Sequence, residues 1–182
     1  MAGLVALLRG VNVGGHRKVP MADLRAIAGS IGFREAATFI QSGNLVFGFD
    51  LGEEAAAARL EEALESRFGF PVDVVVRTAE RWRRHAAANP FGAEAEREPD
   101  RVVLLVPRGS PAAGSAAALA ARAGAGERVE GAGDALWVHY PGGIARSKLA
   151  PALIDRVVGS PTTARNWRTV AALRDLLDAL EE

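Results

Sequence analysis

Four short segments carry residues whose chemistry suits ligand contact. The first, Arg9-Gly-Val-Asn-Val-Gly-Gly-His-Arg-Lys18, joins an apolar run to a helix start. Its glycines, Gly14 and Gly15 among them, free the backbone to turn N–H groups toward one point, and Arg9 and Lys18 bring positive charge to an anion held there. Gly10 and Gly15 have the four-residue gap of a Walker A loop, but His16 stands where lysine is needed and no Ser or Thr follows. A second segment, Gln41-Ser-Gly-Asn44, has the residue types of a tight turn. Hairpin turn chemistry accounts for Gly43 and Asn44, and Ser42 lacks the Gly-x-Ser-x-Gly setting of an activated nucleophile; Ser42 and Asn44 are counted beside that reading as candidate ligand contacts.

The third segment, Tyr140-Pro-Gly-Gly-Ile-Ala-Arg-Ser-Lys148, places Ser147 where an N-cap is expected and Arg146 and Lys148 beside it. The fourth, Thr162-Thr-Ala-Arg-Asn-Trp-Arg-Thr169, repeats the theme with Arg165 and Arg168 around Asn166. Cations at a helix start oppose its dipole unless an anion sits between them. The expected ligand set is therefore Arg9, Asn12, Gly14, Gly15, Lys18, Ser42, Asn44, Ser147, Lys148, Arg165 and Asn166.

Residue usage sharpens that choice. Of 22 basic residues only Lys18 and Lys148 are lysine, Gln41 is the sole glutamine, and three of the four asparagines lie in these segments. Lysine is a compact point charge and arginine a planar fork, so lysine in an arginine-dominated chain is a departure with chemical content. The three histidines show no metal-ligand spacing, and no metal or cofactor is expected. His139 reads as a half-exposed sheet position, and Glu94 to Asp100 as a solvated connector.

The elements that must hold these segments follow from periodicity. Leu4 to Leu8 reads as a strand, Pro20 to Ile31 as a helix, and Thr38 to Phe47 as a hairpin around Ser42-Gly43-Asn44. A helix through Leu60 and Leu64 follows, with Asp50 and Glu53 spaced as a capping box, and then a strand over Val72 to Val76. The order returns after residue 100, with helices expected over Pro111 to Ala123 and Ser147 to Val158 and a weak strand over Pro161 to Ala164. The chain predicts an α+β protein of two tandem ferredoxin-like, split βαβ modules packed together, over residues 1–78 and 101–182, with a helical and acidic connector at 79–100. A terminal helix capped by Asn166 follows the last strand. No residue-level identity between the halves is visible.

Composition limits the partners. The 182 residues have 22 basic and 22 acidic side chains and no cysteine, which removes disulfides, thiolate chemistry and the net attraction behind bulk nucleic-acid or anionic-membrane binding. No segment approaches the roughly 18 apolar residues of a membrane span, and a cytoplasmic location is expected.

Five of the motifs together resemble the uncharacterised bacterial family named domain of unknown function 1697: Leu8-Arg-Gly-Val-Asn-Val-Gly-Gly15 through Lys18, Phe39-Ile-Gln-Ser-Gly-Asn-Leu-Val-Phe47, Asn89-Pro-Phe91, Ser147-Lys-Leu149 and Thr163-Ala-Arg-Asn-Trp-Arg-Thr169. Val11 and Arg168 depart from its usual wording. The resemblance implies two α+β modules of ferredoxin-like plan and no established activity. The residues themselves point to an anionic ligand, phosphate-bearing or carboxylate, a nucleotide or RNA end included, in a groove between the modules. Two alternatives stand beside it: a protein-interaction module without a small-molecule ligand, and single-stranded RNA stacked on Phe39, Phe47, Trp137 and Tyr140. No general base is evident, and oligomeric state is left open.

Overall fold

The computed structural model describes residues 2–124 and 126–182. In chain order the first elements are β1 (Ala2–Leu8), α1 (Met21–Ser30), β2 (Arg34–Phe39), β3 (Asn44–Phe49), α2 (Glu53–Phe68) and β4 (Val74–Thr78). Next come α3 (Ala79–Ala87), α4 (Gly92–Arg97), β5 (Val102–Pro107), α5 (Ser115–Ala120), β6 (Arg128–Ala132) and β7 (Ala135–His139). A single 3-10 turn at Ile144–Arg146 precedes α6 (Pro151–Val158), β8 (Thr162–Asn166) and α7 (Trp167–Glu181). The strands form two antiparallel four-stranded sheets, ordered β2-β3-β1-β4 and β6-β7-β5-β8.

Two compact units result: residues 1–83 with 172–182, and residues 84–171, so the division falls inside α3 and α7. In unit 1, one face of the sheet (Leu4, Ala6, Leu8, Leu45, Phe47, Val74, Val76) packs on Leu24, Ile27, Leu60 and Leu64 of the helices. Alternate residues point the other way. Those residues, Val5, Leu7, Val46 and Val75, are also buried, so β1, Leu45–Phe49 of β3 and Val74–Val76 of β4 read as apolar runs rather than alternating ones. At the end of β1, Gly3 N–H donates to the Glu181 carboxylate of α7, and a Cβ on Gly3 would sit 3.0 Å from that oxygen. Arg83 clasps Asp178 at 2.7 Å and Glu181 at 2.6 Å, and these bonds hold its guanidinium pKa above the ordinary value.

In unit 2, Val103, Leu105, Leu136 and Val138 pack with Leu119, Ile154 and Val158. Trp137 is fully buried and its indole N–H donates to the carbonyl of His85 at 3.1 Å. The fourth strands of the two sheets share a residue-level feature that sequence reading missed. Arg77 of β4 and Arg165 of β8 are both buried, and each precedes a cap: Thr78 Oγ1 accepts from Arg81 N–H at 3.2 Å, Asn166 Oδ1 from Thr169 N–H at 3.0 Å. Only the strand register, Arg77 opposite Val5 and Arg165 opposite Leu104, brings the two into correspondence.

Several local expectations are corrected. Glu53 and Asp50 form no capping box: Gly52 is the N-cap, Asp50 pairs with Arg34 at 2.7 Å, and Glu53 takes Thr78 N–H and Arg81. The helix expected over 111–123 shrinks to Ser115–Ala120, because Gly114 turns with φ 78° just before it. The helix expected from Ser147 starts only at Pro151, whose ring suits a first position. His139 is buried rather than half-exposed.

Three carboxylates of the stretch 94–100 are tied to other elements, although Glu96, Arg97 and Asp100 are exposed. His139 Nε2–H donates to Glu98 at 2.7 Å while Nδ1 receives Arg128 at 3.3 Å, since arginine has only donors. Glu94 pairs with Arg128, which lies 4.8 Å over the Phe91 ring, and Asp100 takes both arms of Arg168. Hydrogen bonds from Arg128, His139 and Arg168 hold the carboxyls of Glu94, Glu98 and Asp100 below their usual 4.5, 4.5 and 3.8. Depressed folded-state pKa values stabilise the fold fully above the unfolded values and stop doing so as pH falls through the depressed ones. Urea midpoints measured from pH 7 to pH 3 are therefore expected to hold down to about pH 5 and fall below it. Glu98→Gln is expected to flatten that fall.

Candidate functional site

Three loops meet at one end of the first sheet. Leu8 N–H, at the end of β1, donates to Gly43 O of the β2–β3 turn at 2.8 Å, and Arg9 N–H donates to Asp73 O of the α2–β4 loop at 3.0 Å. Gly43 has φ 77°, and a Cβ there would lie 2.7 Å from Leu8 Cβ and 2.8 Å from Val11 Cγ2. Glycine is thus required twice, by conformation and by space.

Asn12 fixes the first loop. Its backbone is left-handed, φ 55°, a conformation asparagine tolerates better than most residues. Its side chain donates to Val19 O at 2.9 Å and Gln41 O at 2.7 Å and accepts from Val19 N–H at 2.8 Å. One amide therefore closes the loop on itself and ties it to the neighbouring turn. Within the closed loop Val13 and His16 form a small antiparallel bridge over Gly14 and Gly15, both of positive φ. Arg17 donates to Pro71 O and lies 5.3 Å from the centre of the Phe70 ring, and Arg9 stands 3.5 Å from Asp73. Lys18 is exposed and has no ion pair among the described residues. No acidic residue occurs in residues 9–20 or 39–44.

Asn44, the first residue of β3, is wholly buried and donates to Phe39 O at 3.0 Å and Ser42 Oγ at 2.8 Å. The turn is thus Ile40–Gly43, and Asn44 holds it shut rather than supplying its unusual backbone. That backbone falls to Gly43 and to Ile40, whose φ is 48°. A β-branched residue in the left-handed region is an outlier worth about 1–3 kcal/mol of strain. Ile40 is also 53% exposed, and Val13 on the adjoining loop is 67% exposed. Sequence reading passed over both, because their types signal core.

The second-unit residues of the expected set do not form an equivalent platform. Ser147 Oγ accepts from Leu149 N–H at 3.0 Å in a local turn, and Lys148 is exposed three residues before α6 begins. Arg165 is buried, donating to Thr163 Oγ1 at 2.7 Å and Ala164 O at 2.8 Å, and burial pulls its pKa down to about 10. Asn166 caps α7 and also donates to Asp100, the partner of Arg168. Neither helix start offers a cation awaiting an anion: Lys148 lies before one, Arg168 is paired and Arg165 belongs to a strand. Of the aromatics considered for base stacking, Phe47, Trp137 and Tyr140 are buried.

Fold and loops together define a two-unit α+β protein with its distinctive residues at strand ends. The chain matches the model of the family described as "Protein of unknown function (DUF1697)" over residues 1–137 and belongs to that family. The matched part holds all three loops of unit 1 and ends before Ser147. A solved structure, that of the conserved bacterial protein SP0830 from Streptococcus pneumoniae, is similar with a TM-score of 0.74 at 20% identity, over 97% of this chain and 98% of that one. No curated protein matches. No helix among the described residues is long and apolar enough to cross a membrane.

Replacing Gly43 by alanine is expected to cost about 2–4 kcal/mol, from the left-handed backbone plus overpacking against Leu8 and Val11. Asn12→Ala is expected to cost about 2–3 kcal/mol, by losing the left-handed preference and leaving its partners unbonded. Asn12→Gly keeps the conformation, so the difference between the two variants in urea unfolding reads the backbone share alone.

Proposed function

We propose that unit 1 binds an anionic ligand, phosphate-bearing or carboxylate, at the three-loop platform built by Arg9–Lys18 and Ile40–Gly43. The observation that carries this reading is the exposed Lys18 ammonium on a loop already locked by Asn12, in two segments, 9–20 and 39–44, that contain no acidic residue. A preformed loop pays little ordering entropy on binding, and its lysine contributes charge without having to leave a partner. The glycine N–H groups at its tip add donors of the kind that recognise oxyanions. No catalytic step is proposed.

A second reading, protein interaction, is favoured by one fact: the amides of Asn12, Asn44 and Asn166 are spent within the chain itself. They act on a ligand by shaping loops rather than by touching it. Both units, with four-stranded antiparallel sheets of order 2-3-1-4 and a β-α-β-β-α-β run in the first, support a tandem ferredoxin-like plan. A cytoplasmic place in a bacterial cell belongs to the same reading, supported by the cysteine-free sequence and the bacterial source of the solved neighbour.

The test is a thermal-shift panel of inorganic phosphate, nucleotides, small carboxylates and short RNA on wild type, Lys18→Ala and Lys148→Ala. A ligand at about 100 times its Kd adds about 2.7 kcal/mol, a shift of several degrees. The shift is expected to vanish in Lys18→Ala and persist in Lys148→Ala. Loss in Lys148→Ala alone would move the site to unit 2.

A further inference from the structure

The platform holds a combination that anion binding by itself does not explain. Ile40 is strained in backbone, more than half exposed in side chain, and joined through Gln41 O and the Asn12 amide to the loop that exposes Val13. Turn chemistry would be served better there by asparagine or glycine, which adopt positive φ at little cost. Ile40 is not among the residues packed against the core cluster of Leu4, Leu8, Leu24 and Phe47, and its exposed surface gains no burial from the fold. Observed strain that the surrounding hydrogen bonds enforce, at a surface rather than a core position, is a mark of a contact residue.

The chemistry beside it narrows the occupant. His16, Arg17 and Lys18 follow Val13 in one exposed stretch, and no acidic residue interrupts residues 9–20 or 39–44. The two loops that Asn12 ties together thus carry two exposed aliphatic side chains, with His16, Arg17 and Lys18 following Val13 in the chain. Free phosphate would use only the cations. A nucleic-acid base would want an exposed aromatic ring, and Phe39, the one sheet aromatic of this turn that is not fully buried, is half-covered. An acidic protein segment bearing aliphatic side chains uses every part, apolar contact at the centre and charge complementarity around it.

We propose that Ile40 and Val13 are the apolar anchors of a docking surface for an acidic, aliphatic-containing peptide segment of a partner protein, with Lys18 and Arg17 receiving its carboxylates. The proposal rests on the anionic-ligand reading of the same platform and names its partner class.

Two measurements test it. The first needs no ligand: Ile40→Asn relieves the strained turn, so its thermal midpoint is expected to rise by roughly 2–4 °C. A fall would show that Ile40 serves the fold and would overturn the proposal. The second is fluorescence anisotropy with three probes: a labelled dodecapeptide of alternating Glu and Leu, an all-Glu peptide with the same number of glutamates, and a labelled single-stranded oligonucleotide. Binding to phosphatidylglycerol vesicles is measured alongside. The Glu/Leu peptide is expected to bind at least tenfold more tightly than the all-Glu peptide, and to lose that advantage in Ile40→Asn and Val13→Ser while both peptides weaken in Lys18→Ala.

Equal binding of the two peptides, still lost in Lys18→Ala, removes the apolar anchors and leaves the anion site standing. No salt-sensitive binding of any peptide, together with no response to phosphate or nucleotides, removes both readings. Tighter binding to the oligonucleotide or the vesicles than to the Glu/Leu peptide overturns the partner class.

Discussion

A sheet whose inner strands are buried on both faces has only its ends left for recognition. In unit 1 that burial extends from Gly3 to Leu8 of β1, through β3 and from Val74 to Arg77 of β4, and in unit 2 through β5 and β7. The flat surface on which many α+β proteins gather ligands is closed here. What the ends of the inner strands present is therefore built from loops, and loops are accurate only if something other than a sheet fixes them. Hydrogen bonds from one side chain to the backbone supply that fixation at the end of the first sheet. The Asn12 amide makes three such bonds, and Gly43 brings the second loop so close that no side chain fits between them. The two devices are complementary, since one pulls the loops together and the other permits the approach.

The polar residues that stand out in the sequence divide by this logic. Asn12, Asn44 and Asn166 are all oriented inward along the chain, to carbonyls, amides and a cap. Lys18, His16 and Val13 face outward from the loop that Asn12 organises. A motif read as a set of ligand contacts is better described as a frame and the few groups the frame holds up. This explains why asparagine is found here in place of the chain's habitual arginine or alanine: only a short side chain with both a donor and an acceptor closes a loop on both sides at once.

Much of the architecture was legible in the sequence because its signals are local. Apolar runs marked the strands, and the Ser42-Gly43-Asn44 stretch marked the hairpin. Harder to read was anything set by pairing across distance. His139 looked half-exposed because its neighbours alternate, but Glu98 and Arg128 arrive from 41 and 11 residues away to cover it. The acidic stretch looked solvated because the arginines and histidine that bind it lie in other strands and in α7. Ile40 was invisible for the opposite reason: an isoleucine between two strands reads as core, and only its φ and exposure show otherwise. At the site, residue types identified Asn12 and Lys18 correctly as unusual, but not that one is a fastener and the other a free end.

The boundary of unit 1 inside α7 has a bearing on how the chain is made. Gly3 meets Glu181 across 178 positions, and Arg83 reaches forward to Asp178 and Glu181. On a ribosome the first sheet emerges early, while residues 172–182 follow only after the whole of unit 2. Until then Arg83 has neither acidic partner and the edge of β1 at Gly3 lacks its acceptor. Vectorial synthesis thus imposes an order in which unit 2 is able to complete itself first and unit 1, begun earlier, finishes last.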